Sequence, residues 1–133
     1  MDIEVTSEVV DHMRADAARA DPDECCGLLL GRDGRIETAV SARNVADRPD
    51  TRFEIDPQAL IDAHRRARRG GPQIVGYYHS HPRSPSRPSA TDATMAAHDG
   101  RVWAIVGQDG IGWWCDAPDG FRPVSTSQVT GKS

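Results

Sequence analysis

The chain has 133 residues, enough for one hydrophobic core. Sixteen basic and 20 acidic residues leave a formal charge of −4, which argues against general nucleic-acid binding. No run of about 18 apolar residues exists, so no transmembrane helix is expected. Met1-Asp2-Ile3-Glu4 lacks the basic start and apolar run of a secretory signal, so the expected location is cytoplasmic. Three cysteines (Cys25, Cys26 and Cys115) without CxxC spacing suit a reducing compartment.

Apolar periodicity predicts an alternating α/β order. Thr6 or Ser7 caps a first helix, in which Val9, Val10, Met13 and Ala17 form one apolar stripe, and Asp21-Pro22 ends it. Cys25 to Arg32 reads as a strand, with Asp33-Gly34 as a hairpin turn into Arg35 to Ala42. Cys25 and Cys26, as strand neighbours, are expected to face opposite ways as packing residues. Asn44 to Asp50 is a polar loop, and Thr51 to Ile55 alternates as a short strand. Asp56-Pro57 supplies an N-cap and a first-turn proline to a helix reaching about Arg69, which Gly70-Gly71-Pro72 stops. Gln73 to Tyr78 is a strand apolar on both faces. Arg101 to Gln108 and Ile111 to Asp116 read as strands around Asp109-Gly110, and Phe121 to Ser125 as a last edge strand. One domain is expected over residues 1–125, with 126–133 as a frayed tail.

The chemistry concentrates at His79-Ser80-His81-Pro82, followed by Ser89-Ala90-Thr91-Asp92. In a strand, residues i and i+2 point to one side, about 7 Å apart along the chain, so two imidazoles can converge on one ion. Pro85 and Pro88 delay the next helix until Ser89, which reads as an N-cap of a helix from Ala90 to His98. Ser89 and Asp92 share a helix face, so the aspartate can be aimed at the same ion. His98 and Asp99 are less suited, being roughly 240° round the helix and about 10 Å further along it. A His/His/Asp set leaves a fourth tetrahedral position for water, the coordination of a catalytic zinc. Ser-x-x-Asp is also a capping-box pattern, which needs no metal.

The pattern H-S-H-P-x6-S-x2-D resembles the signature of the JAMM (Jab/MPN) metallopeptidase family, and Asp23-Glu24-Cys25-Cys26-Gly27-Leu28-Leu29-Leu30-Gly31 resembles the family's upstream glutamate and apolar strand. The matched motifs span residues 22 to 92. The resemblance implies a single-domain Jab/MPN α/β fold, related to cytidine deaminases, with a mixed curved sheet flanked by helices. It implies one zinc per chain on His79, His81 and Asp92, with water as fourth ligand. Glu24 would exchange a proton with that water, and Ser89 would donate to the developing oxyanion. The implied activity is that of a zinc isopeptidase acting at the C-terminal tail of a ubiquitin-like protein. The short chain is similar to the compact prokaryotic members, some of which process sulfur-carrier proteins.

Spacing alone does not choose the base, since Glu37, Glu54 and Asp116 also carry carboxylates. A non-catalytic MPN scaffold with a structural zinc is the alternative to an enzyme, and a cysteine nucleophile beside His79 is a further one. A zinc nucleobase deaminase needs H-x-E with P-C-x-x-C, and neither is present. Arg65, Arg66, Arg68 and Arg69 suit the C-terminal dipole of the second helix. Arg83 to Pro88 is a stiff basic loop expected to flank the site. The sequence assigns no oligomeric state.

Overall fold

A computed structural model describes residues 2–130. Strand β1 (Asp2–Thr6) leads directly into helix α1 (Ser7–Ala20), where the Thr6 hydroxyl accepts from the Val9 amide at 3.3 Å as the N-cap. The hairpin of β2 (Cys26–Arg32) and β3 (Arg35–Ala42) turns at Asp33 and Gly34, both at positive φ. Helix α2 (Pro57–Arg68) starts as expected, with Asp56 accepting from Gln58. Strand β4 (Gln73–Ser80), helix α3 (Ala90–Met95), and strands β5 (Val102–Gly107), β6 (Gly110–Ala117), β7 (Gly120–Pro123) and β8 (Ser125–Val129) complete the chain.

The strands form one mixed sheet in the order β7-β6-β5-β4-β2-β3-β1-β8. Strands β4 and β5 run parallel, as do β1 with β3 and β8; the other pairs are antiparallel. β7 and β8 are the two ends of this order, yet Val124 alone separates them. One residue spans only a few ångströms, so the sheet is curled until its ends meet. Val124 then packs in the core under α1 with Ile3, Val5, Val9, Met13 and Tyr78. The other face carries a second core of Leu28, Leu30, Phe53, Ile55, Ala63 and Trp103 beneath α2. Cys25 belongs to the first core and Cys26 to the second, opposite faces as expected. This mixed, curved sheet with helices on both faces is the implied Jab/MPN architecture.

Three expectations need correction. The frayed tail does not begin at Thr126: Ser125–Val129 forms β8, held by five register pairs to β1, while residues 131–133 lie outside the described ones. Thr51 to Ile55 is not a strand but an irregular segment with one bridge, Asn44 to Ile55. Its alternation records the burial of Phe53 and Ile55, while the Asn44 side chain takes the Glu54 amide. Helix α3 ends at Met95 rather than His98. The His98 amide donates to Asp116 Oδ2 at 3.0 Å, and His98 adopts a φ of 58°. Strand β1 was absent from the expectations, although Ile3 and Val5 alternate inward between exposed Asp2 and Glu4. No helix among the described residues is long and apolar enough to cross a membrane.

Candidate metal centre

His79 sits near the end of β4, in register with Cys26 of β2 and Ile105 of β5, and is fully buried. His81 prolongs the ladder beyond β4 by donating its amide to the Val106 carbonyl at 2.8 Å. Ser80 between them points to the other face. Its hydroxyl accepts from the Cys25 amide at 2.8 Å and its own amide donates to the Cys25 carbonyl. Thus the alternation of one strand aims two imidazoles together and ties the residue after Glu24 to the same strand.

Asp92 arrives from the first turn of α3. The capping box is present: the Ser89 hydroxyl accepts from the Asp92 amide at 3.0 Å, and the Ser89 amide donates to Asp92 Oδ2 at 2.9 Å. Capping and ligation do not compete, because the same carboxylate also faces both histidines. His79 Nε2 and His81 Nε2 lie 3.1 Å apart, and Asp92 Oδ2 is 3.2 Å and 3.1 Å from them.

These atoms fit a metal ion. His81 Nδ1 faces the Pro85 carbonyl at 2.8 Å, so that nitrogen carries the proton and Nε2 turns a lone pair to the cluster. A buried carboxylate and two imidazole nitrogens then converge with too few protons to share. Tetrahedral bonds of 2.0–2.1 Å separate ligand atoms by about 3.3 Å, close to the spacing observed. Burial lowers the pKa of His79, outweighing the nearby carboxylate. Burial also opposes charge on Asp92, but the adjacent imidazoles of His79 and His81 and the Ser89 amide outweigh it and hold the carboxyl well below its usual range. The directions at His79 and Asp92 are those a cation needs, neutral imidazole and ionised carboxylate, whereas at His81 burial is outweighed by the Asp92 carboxylate and the Pro85 carbonyl, which raise its pKa.

Glu24 precedes β2. Its amide donates to the Pro49 carbonyl at 2.8 Å, and its Oε1 is buried without a partner among the described residues. Burial pushes its pKa up to about 7, with His81 pulling down and Asp92 and Asp50 pushing up. Glu24, His81 and Ser89 line one cleft of 250 Å³ with Asp50, Thr51, Arg83 and Thr91. The other carboxylates left open by spacing lie elsewhere. Glu37 pairs with Arg35, while Glu54 and Asp116 line a second cleft against Tyr77 and Trp103. Burial raises the Cys25 and Cys26 thiols to about 12, which leaves neither as a ready nucleophile.

The basic loop from Arg83 to Pro88 lies flat on the β5–β6 hairpin. Trp114 Nε1 donates to the Ser86 carbonyl at 3.0 Å, and the Ser86 amide donates to Asp109 at 2.8 Å. Gly107 and Gly112 permit this, since a Cβ on either would lie 2.4 Å or 2.1 Å from Ser86 backbone atoms. Sequence reasoning also missed Phe53, whose ring stacks on His79 with centroids 4.2 Å apart. Its only signal was its alternation with Ile55, which reads as a short strand rather than as a partner of His79.

Residues 6–116 match the family model of prokaryotic homologs of the JAB domain. The chain is 39% identical to a desampylase of Haloferax volcanii over 104 residues, covering 77% of this chain and 75% of that relative. It is 36% identical to a probable TtuB-protein conjugate cleaving protease of Thermus thermophilus, covering 77% and 68%. A CysO-cysteine peptidase of Mycobacterium tuberculosis is 31% identical, with 77% and 70% covered. Among solved structures, a Desulfitobacterium hafniense protein superposes with a TM-score of 0.85 at 29% identity, over 96% of this chain and 93% of its own. A JAB1/MPN domain protein of Archaeoglobus fulgidus shares the fold, with a TM-score of 0.61 at 17% identity, over 94% and 96%. The chain belongs to the compact prokaryotic branch of the JAMM/MPN metallopeptidase family and is a hydrolase.

Proposed function

We propose that this protein is a zinc isopeptidase that hydrolyses the amide bond joining the C-terminal tail of a ubiquitin-like, sulfur-carrier protein to its amine partner. The observation that carries the reading is the buried convergence of His79, His81 and Asp92 on one point, with Glu24 and Ser89 in the cleft beside it. The substrate class is supported by the names of the relatives, a desampylase, a TtuB-conjugate protease and a CysO-cysteine peptidase.

The three ligands would hold one zinc, which when bound supplies a Lewis acid for the scissile carbonyl and brings water's pKa toward neutrality. Glu24 takes the proton of the attacking water and returns it to the leaving amine, and a pKa of about 7 suits both steps. The Ser89 hydroxyl accepts from the Asp92 amide, so its own proton is available to the oxygen on which charge develops. The Pro85 carbonyl and the Phe53 ring hold His81 and His79 in orientation. The attacking water adds to the carbonyl carbon, and the C–N bond breaks as the amine receives its proton.

The test is cleavage of a ubiquitin-like carrier fused through its tail to a reporter. Zinc-loaded wild type is expected to release the reporter, and Glu24→Ala to keep zinc but lose turnover. Cleavage by Glu24→Ala at the wild-type rate removes Glu24 as base. No cleavage by zinc-loaded wild type moves the scaffold reading to first place.

A further inference from the structure

Asn44 follows β3 and is half-buried, yet its side-chain amide gathers more of the site's backbone than any ligand does. Nδ2 donates to the carbonyl of Glu24 at 3.0 Å and of Arg52 at 3.0 Å, with the Pro49 carbonyl 3.4 Å away. Oδ1 accepts from the amides of Ala46 at 3.1 Å and Glu54 at 3.0 Å. A primary amide has two N–H donors and two acceptor lone pairs, so its hydrogen-bonding capacity is filled. No other side chain type of this size carries both functions in a planar head.

The groups it joins belong to two separate segments that line the cleft. Glu24 enters β2, while Ala46 to Glu54 form the irregular segment before α2. Among the described residues that segment has no strand pairing beyond the Asn44–Ile55 bridge, so few backbone bonds hold it otherwise. They are Glu24 to Pro49 at 2.8 Å, Val45 to Glu54 at 2.9 Å, and Thr51 and Arg52 to Arg48. The segment contributes Asp50 and Thr51 to the cleft of Glu24, His81 and Ser89. It also contributes Phe53, whose ring lies on His79. One amide therefore joins the backbone of the carboxylate residue to the segment that carries Asp50, Thr51 and the ring that orients a histidine.

We infer that Asn44 is a positioning residue: it couples the backbone of Glu24 to residues 45–54, so that the carboxylate, Asp50 and Thr51 of the cleft lining, and Phe53 keep one mutual spacing. The coupling is a property of the chain itself. Its catalytic consequence rests on the isopeptidase reading above. Asn44 touches none of His79, His81 and Asp92, so its loss should leave zinc binding in place.

Asn44→Asp is the isosteric test, because it keeps the acceptor oxygen and removes both donors, and Asn44→Ala removes both functions. The first readout is amide hydrogen exchange on the metal-free protein. In Asn44→Asp the Glu24 amide should exchange roughly tenfold faster, and in Asn44→Ala those of Ala46 and Glu54 as well, while Leu29 in the centre of the sheet stays protected. The second readout is turnover of the carrier fusion per bound zinc, where kcat should fall roughly tenfold or more at unchanged zinc content. Unchanged exchange at Glu24 and residues 45–54 in both variants overturns the coupling. Faster exchange with unchanged turnover per zinc makes Asn44 a local staple and also overturns the proposal. Acceleration that includes Leu29 in both variants makes it a fold determinant, again against the proposal. If wild type does not cleave the fusion, the isopeptidase reading falls, and the exchange measurement alone decides whether Asn44 couples the two segments.

Discussion

Glu24 is a carboxyl in surroundings that disfavour its charge. Its pKa of about 7 in the fold, against an ordinary 4.5, means that the folded chain holds this proton more tightly than the unfolded one. Its contribution to stability is therefore full below pH 4.5 and is lost as pH rises through 7. Glu24→Gln is expected to stabilise the metal-free protein by up to about 3 kcal/mol at pH 8, with the gain fading toward pH 5. Denaturant unfolding at the two pH values reads this, and an equal gain at both would mean that the charge is not penalised. Ser89 is also tested at this scale, because it is at once a cap and the proposed oxyanion donor. Ser89→Ala should cost about 1 kcal/mol of stability from the cap and roughly 2–4 kcal/mol of barrier from the lost donor. A stability loss with kcat intact would leave Ser89 as a cap alone. The convergence of His79, His81, Ser89 and Asp92 was legible in the sequence because they are close in the chain and their spacing fits a strand followed by a helix. Glu24 was picked out by resemblance, since only the β2–β4 pairing brings it to the histidines. Asn44 and Phe53 were not legible, because their roles depend on how an irregular segment folds back.

At the scale of elements, the loop from Pro82 to Pro88 is the least obvious support of the site. It is pinned to β6 and the turn before it through Ser86, and its Pro85 carbonyl fixes the tautomer of His81. Gly112→Ala puts a methyl 2.1 Å from the Ser86 carbonyl oxygen, so the loop must lift. The expected cost is about 1–3 kcal/mol in stability and roughly 10–100-fold in zinc affinity through the lost second partner of His81. Competition against a chelator measures the affinity, and wild-type affinity would show that the loop does not orient the ligand. The elements themselves were read from different signals. Helices α1 and α2 announced themselves through Thr6, Asp56 and Pro57, local groups that act within one turn. Helix α3 ran shorter than its sequence suggested because Asp116, far along the chain, captures the His98 amide.

At the scale of the molecule, closure of the sheet rests on a strand that composition conceals. Ser125–Val129 offers an almost wholly exposed, polar surface, and its hold on β1 is made by main-chain bonds rather than burial. Hydrophobic periodicity has nothing to register there, which is why the segment read as a tail. Removing residues 125–133 should expose β1 and cost about 2–4 kcal/mol. Thermal unfolding unchanged by this truncation would show that β1 does not need its outer partner. The curled sheet keeps β4 in its interior, so His79 is fully buried near the end of that strand, and His81, just beyond it, lines the cleft beside Glu24 and Ser89.

The central claim is that His79, His81 and Asp92 form one zinc site. The direct measurement is metal content of the tag-free protein after reconstitution, beside Asp92→Asn, which keeps the shape of the cap while removing the charge. About one zinc per wild-type chain, lost or greatly weakened in the variant, is the expected result. Wild type that binds no zinc, or a variant that binds it as tightly, would contradict the account.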